Sequence, residues 1–185
     1  ITVSEGLRQA CLALGADPDR VHTIYQGIDR TLFWQRDRDE ARSRLRLTPS
    51  VPTFVWVGRM VDVKRVDLLL EAVARLHRRG RRLKLYLLGD GPCEEAWREL
   101  THYLGIEVVV EFVGPVRQEH LADWYSAADA PVLCSKSEGL PNVLRESLAC
   151  GTPFVATDVG SIREIADPSY SIVVEPGDAT ALAEA

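Results

Sequence analysis

Two short stretches of this chain concentrate side chains able to handle anions and hydroxyl groups. In the first, Gly58-Arg59-Met60-Val61-Asp62-Val63-Lys64-Arg65, one glycine is followed by three cations. Arg grips two phosphate oxygens at once and Lys supplies a compact point charge, so this loop is suited to a phosphate group. The plainer alternative is a solvated loop in which Arg59 and Lys64 pair with Asp62, Asp67 or water. In the second, Ser135-Lys136-Ser137-Glu138-Gly139-Leu140-Pro141-Asn142 leads into a helix expected over Val143 to Cys150. The unpaired N–H groups at the start of such a helix make a second anion site. Glu138 lies before that helix and Glu146 about one and a half turns inside it. A carboxylate repels phosphate but accepts hydrogen bonds from sugar hydroxyls, as acidic residues do with the ribose of dinucleotides. The alternative for Glu146 is an exposed residue favoured by the helix dipole.

Other motifs point to less. A dinucleotide site would carry G-x-G-x-x-G after the first strand, and that pattern is missing there. Gly89-Asp90-Gly91-Pro92 follows the second strand and reads as a turn, with Glu94 in the third glycine position. There is no G-x-x-x-x-G-K-[ST] string, which disfavours a phosphate-hydrolysing motor or switch. Asp17-Pro18-Asp19 and Asp37-Arg38-Asp39 form D-x-D strings, but neither follows an apolar strand, so turn or cap roles are expected. The pair Glu138 and Glu146 resembles the two acids of a hydrolytic glycosidase, against which the cationic loop argues. None of His22, His77, His102 and His120 is placed to serve as a base. Cys11, Cys93, Cys134 and Cys150 are far apart and fit neither a zinc site nor a disulfide framework.

The elements that must position these loops alternate along the chain. Apolar strands are expected at 53–57, 83–88, 108–113, 131–134, 153–156 and 171–174. Between the first two, Val66, Leu69, Leu70, Val73 and Leu76 recur at helical steps, the mark of a crossover helix lying on a parallel sheet. Pro141 suits a first helical position, and Cys150-Gly151-Thr152-Pro153 supplies a stop. The fold class is therefore α/β, a doubly wound parallel six-stranded sheet in the order 3-2-1-4-5-6. Ligands bind such sheets where the chain reverses, outside the carboxyl ends of strands one and four, where both loops fall. Residues 1–30 stand apart as a remnant of a neighbouring domain or linker, with a helix running to Gly15 between two short strands. Residues 31–185 form the doubly wound α/β unit, and Arg36 to Arg46 reads as a solvated connection or helix.

With 185 residues, 46% apolar, the chain can bury one substantial core. Its longest apolar run, Ala10 to Leu14, is far short of the roughly 20 residues a membrane-spanning helix needs. The 22 basic and 27 acidic residues give a net charge of −5, which argues against general nucleic-acid binding. One local exception is the crowd of Arg75, Arg78, Arg79, Arg81, Arg82 and Lys84 around Gly80. It reads as a solvated helix end, with a membrane or polyanion patch as the alternative. The start at Ile1 and the finish inside a helix-forming run suggest an excised piece of a longer protein.

The string Glu138-Gly-Leu-Pro-Asn-Val-Leu-Arg-Glu146 and its continuation to Gly160 resemble the donor-binding half of group 1 (family 4) glycosyltransferases of the GT-B fold. Gly58-Arg59-x4-Lys64, Gly89-Asp-Gly-Pro92 and Val113-Gly114 occur in matching order. The resemblance implies a Rossmann-like C-terminal domain and transfer of a hexose from a nucleotide-diphosphate sugar with retention at the anomeric carbon. Arg59, Lys64 and Glu138 would serve catalysis, the two cations on the diphosphate. Glu146 would hold the ribose, and Glu138 with the backbone of Gly139, Leu140, Pro141, Asn142 and Val143 the sugar and its phosphate. Pro115, Val116 and Arg117 would contact the base. No metal or other cofactor is required by this reading, and the acceptor is bound mainly by a missing N-terminal domain, so these residues alone transfer little sugar. Nucleic acid is not an expected partner. A cytoplasmic location is implied, with peripheral contact to the inner membrane in the full-length protein left open. A sugar-nucleotide epimerase or hydrolase on the same scaffold, and a non-catalytic nucleotide-binding module, are the alternatives. The family often has Asn-Gly at Gln26-Gly27, Lys-Gly at Lys64-Arg65 and a second glycine at Ser161.

Overall fold

Alternation of side chains along two central strands sets the architecture. In a computed structural model that describes residues 1–185, β1 (Thr53–Val57) and β2 (Lys84–Leu88) lie side by side in parallel. Val55, Tyr86 and Leu88 enter one buried cluster, while Trp56, Leu85 and Leu87 enter the other. Strands apolar on both faces require cover on both faces. The remaining strands are β3 (Val110–Gly114), β4 (Ala130–Leu133), β5 (Phe154–Thr157) and β6 (Ser171–Val174). All pairings are parallel and the order is β3-β2-β1-β4-β5-β6, as expected from the sequence.

The helices are α1 (Glu5–Ala13), α2 (Arg38–Arg44), α3 (Val66–Arg78), α4 (Glu94–Leu104), α5 (Gln118–Ala127), α6 (Asn142–Ala149) and α7 (Ala179–Glu184). On one face α3 packs against α4 and α7; on the other α5 packs against α2 and α6. The expected stripe of α3 is buried at Val66, Leu69, Leu70 and Val73, beneath which Trp56 meets Trp97 edge to face with ring centroids 5.9 Å apart. No helix is long and apolar enough to cross a membrane.

Three local expectations need correction. β3 begins at Val110, because the Val109 and Val110 N–H groups turn back to the Ile106 carbonyl. Pro141 occupies the cap position before α6 (φ −72°, ψ 121°), so the helix starts at Asn142. Of the two readings of Arg36 to Arg46 the helix holds, as α2, but it is not simply solvated. Arg42 is only 4% exposed, donating to the Ala127 and Pro49 carbonyls and to Asp129 Oδ2, which also accepts the Thr53 N–H. This buried guanidinium anchors α2 to the start of β1 and the end of α5, and every donor it turns inward finds an acceptor.

Residues 1–25 lie against the loops that follow β4 and β5. Thr2 and Thr23 form a single parallel bridge. Ser161 Oγ donates to Ser4 Oγ, the cap of α1, at 2.7 Å. Glu164 accepts the N–H groups of Glu5 and Gly6, at 3.0 and 2.7 Å, and the Tyr25 hydroxyl at 2.8 Å.

Candidate functional site

The loop after β1 is held by the turn after β2. The Met60 N–H donates to the Asp90 carbonyl at 2.6 Å and the Cys93 N–H to the Met60 carbonyl at 3.0 Å. Gly89, at φ +134°, lies so close to this loop that a Cβ would stand 1.8 Å from the Gly58 carbonyl oxygen. The Gly89-Asp90-Gly91-Pro92 turn therefore supports the backbone of the cationic loop, a role that reading it as a turn alone did not give. A short 3-10 turn, Asp62–Lys64, brings the chain to Arg65, which has left-handed geometry (φ 49°, ψ 40°) before α3 starts. Glycine takes this conformation without a Cβ penalty, which accounts for the glycine common at this position in the resembling enzymes. Arg65 is not part of the anion-facing set, since its guanidinium clasps Asp67 at about 3.0 Å.

The loop after β4 is joined directly to this one. The Lys136 N–H donates to the Val63 carbonyl at 2.8 Å, and the Cys134 thiol lies 3.2 Å from the Lys64 carbonyl. Burial pushes the Cys134 thiol up to about 12, which leaves it a structural donor rather than a nucleophile. At the mouth of the junction Lys64 Nζ meets Glu138 Oε1 at 2.6 Å, and Ser135 Oγ donates to the same oxygen at 2.6 Å. The other Glu138 oxygen has no protein donor, and Lys64 retains two of its three N–H bonds for another acceptor. The loop is pinned from behind by Gly160 at φ +59°, whose Cβ would fall 2.0 Å from the Glu138 carbonyl oxygen, and by the Ser161 N–H to Gly139 carbonyl bond of 2.9 Å. Ser161, a departure from the family pattern, thus bonds the loop on one side and α1 on the other.

α6 begins without a side-chain cap, and no protein acceptor takes the N–H groups of Asn142 and Val143. These unclaimed donors and the dipole of the helix favour an anion at its tip. Gly139, half-buried, lies beside Leu7 of α1, and Leu140 and Pro141 are buried beneath the tip.

Glu146 is neither at the surface nor on an open helix face. It is 8% exposed, and its Oε2 accepts the hydroxyl of Tyr125, itself fully buried, at 2.9 Å. Burial raises its affinity for a proton above the usual carboxylate range, against the opposing pull of the Tyr125 hydrogen bond and the charge of Arg145. The alternative of an exposed residue favoured by the helix dipole is therefore corrected, and loss of Glu146 would strand the buried Tyr125 hydroxyl. Tyr125 and Ser135 were not singled out by sequence. Their only signal is a polar group inside an otherwise apolar helix face and strand end.

The structure thus brings Lys64 and Glu138 together and leaves Arg59 exposed on the same sheet edge, without a protein partner. Among the expected base-contacting residues, Pro115 and Val116 line a cavity of about 210 Å³ together with Gly58, Gly89, Leu88 and Leu121. Arg117 does not line it; its guanidinium is turned to Glu119 and His120. The D-x-D strings are caps: Asp17 Oδ1 accepts the Asp19 N–H and Asp37 Oδ1 the Glu40 N–H.

The profile of the family described as "Glycosyl transferases group 1" matches residues 51–185. The chain belongs to the group 1 glycosyltransferases. A D-inositol 3-phosphate glycosyltransferase of Catenulispora acidiphila is 43% identical over 183 residues, covering 91% of this chain and 43% of that enzyme. The chain therefore spans less than half the length of that group 1 relative. Sucrose-phosphate synthase from Thermosynechococcus elongatus superposes with a TM-score of 0.89 at 30% identity, covering all of this chain and 47% of the enzyme. Anabaena HepE, solved with UDP, superposes with a TM-score of 0.87 at 22% identity, over 99% of this chain and 51% of HepE, a likeness of fold. The six-stranded parallel sheet is that of GT-B C-terminal domains, and residues 51–185 carry this group 1 architecture.

Proposed function

We propose that this chain is the donor-binding half of a retaining glycosyltransferase that moves a hexose from a nucleotide-diphosphate sugar to an acceptor. The observation that carries the proposal is the junction of the two loops, where Lys64 and Glu138 meet beside exposed Arg59 and the uncapped start of α6. The diphosphate lies along Arg59, Lys64 and the first N–H groups of α6. The base enters the cavity of Pro115 and Val116, the ribose hydroxyls meet the unengaged oxygen of Glu146, and a sugar hydroxyl meets that of Glu138.

As the glycosidic bond breaks, the ring gains cationic character and negative charge collects on the departing diphosphate. Fixed cations and helix N–H groups stabilise that charge more in the transition state than in the ground state. They serve where other transferases employ a metal, so no metal is needed. Ser135 and Lys64 hold one Glu138 oxygen, which sets the orientation of the other.

The curated relative extends well beyond the matched half, so the acceptor and further reacting groups are assigned to residues outside this chain. UDP, found in HepE, is the first ligand to test. Calorimetric titration of the chain with UDP, GDP and ADP and their hexose conjugates is expected to show saturable binding of one nucleotide series, undiminished by EDTA, with little sugar transferred. Absence of binding across all three, or rapid turnover by this chain alone, would overturn the reading.

A further inference from the structure

The edge of the sheet opposite the crevice carries a different kind of surface. Each crossover helix runs back along its strand, so the last turns of α3 and α4 and the first residues of β2 and β3 meet at this edge. Arg75, Arg78, Arg79, Arg81, Arg82 and Lys84 gather here, and the intervening sequence from Ala72 to Gly89 contains no acid. None of the five arginines forms a hydrogen bond or ion pair through its side chain, a state shared elsewhere by single arginines such as Arg59 but gathered here into a group of five. Asp178 feels the charge of Arg75, Glu71 lies one turn before Arg75 on α3, and Glu107, in the turn before β3, is engaged by His102.

Cations alone would suit any polyanion. This edge adds apolar groups. His77, Arg81, Arg82 and Lys84 rim an open cavity of about 320 Å³ whose floor is Val51, Leu83 and Val109. Lys84 Nζ bonds the Val108 carbonyl at 2.7 Å, which sets the 68% exposed Val108 next to the cations, and Tyr103, 85% exposed, lies in the last turn of α4 at the same edge. An amphipathic tyrosine and an aliphatic side chain next to long unpaired arginines match the chemistry of a headgroup region, where apolar tips dip below the phosphates and basic groups meet them. Arginines left unfixed by neighbours also suit a fluid array of anions better than one rigid ligand.

We propose that this edge docks the protein on an anionic phospholipid surface, leaving the donor crevice at the opposite edge open to solution. The chain as a whole has a net charge of −5, so the molecule outside these six cations carries −11. That charge does not prevent docking, because exposed charges farther from the surface than about 10 Å are largely screened at 0.1 M salt. It instead selects the one edge that faces the lipid.

The test is co-sedimentation of the whole chain with vesicles of phosphatidylcholine alone and of phosphatidylcholine with phosphatidylglycerol. Binding is expected only to the second kind and is expected to weaken with added salt. A basic residue near an anionic surface contributes about fivefold to partitioning, so the combined variant Arg78→Ala, Arg79→Ala, Arg81→Ala, Arg82→Ala is expected to bind at least ~100-fold less. Because those side chains are exposed and unpaired, its thermal melt is expected to match the parent. Tyr103→Ser with Val108→Ser, which keeps every charge, is expected to lower binding about tenfold. Equal binding to both vesicle types, or parent-like binding by the arginine variant, would overturn the proposal. So would full affinity in the Tyr103 and Val108 variant together with tight binding to soluble heparin, which would make this edge a general polyanion site.

Discussion

The two crevice loops are supported alike and charged differently. Behind each, a glycine of positive φ presses on a carbonyl: Gly89 on Gly58 and Gly160 on Glu138. The first loop then presents Arg59 without a partner, while the acids of the second region each have one oxygen committed in advance, Glu138 to Lys64 and Ser135, Glu146 to Tyr125. Cations left free attract a diphosphate by charge. Carboxylates already anchored offer a directed acceptor to hydroxyl groups at little further ordering cost.

The sharpest way to probe the shared support is Gly89→Ala beside Gly160→Ala. Each Cβ would fall within 2.0 Å of a backbone carbonyl, so each is expected to cost about 3 kcal/mol or more in urea unfolding. A small effect at Gly160 alone would show that the second loop yields where the first does not. Arg59→Ala comes next. It is expected to leave stability within about 0.5 kcal/mol while weakening nucleotide binding by about 1.5 to 3 kcal/mol, roughly 10- to 100-fold in Kd by calorimetry.

Glu146→Ala is expected to behave in the opposite way from Arg59→Ala, costing about 1 to 3 kcal/mol of stability because the Tyr125 hydroxyl is left buried and unpaired. The Glu146→Gln variant sharpens this through pH. Burial raises the folded-state pKa of Glu146 above its unfolded value, so its carboxyl contributes stability that is full below the unfolded value and is lost as pH rises through the folded one. The parent is thus expected to gain stability relative to Glu146→Gln as pH falls from neutral into the ordinary carboxylate range, measured by paired thermal melts. A flat difference would mean that Glu146 is effectively solvated.

The smallest effect is expected at Arg65→Gly. Relief of the left-handed backbone favours the variant by about 1 kcal/mol, and loss of the half-exposed pair with Asp67 offsets part of it. A modest rise in Tm is expected; a fall would show that the ion pair outweighs the strain.

Much of this was legible in the chain. Strand and helix each leave a local period, and right-handed crossovers restrict the order in which six parallel strands can lie, so Val55, Trp56 and the α3 stripe were placed without tertiary information. The loop motifs were legible because glycine, proline and clustered charge mark turns directly. The setting of Glu146 was not, since a lone glutamate in a short helix has the same local pattern whether its face is solvated or covered.

Sequence by itself therefore determined the strand order, the two loops on the reversal point and the family they signal, because these follow from near-neighbour periodicity and chain connectivity. Only the tertiary structure decided which groups are buried and which are paired. Glu146 meets Tyr125 across 21 residues, Lys64 meets Glu138 across 74 and Ser4 meets Ser161 across 157. Such contacts depend on how packed layers exclude water from particular atoms, and no single segment carries that information.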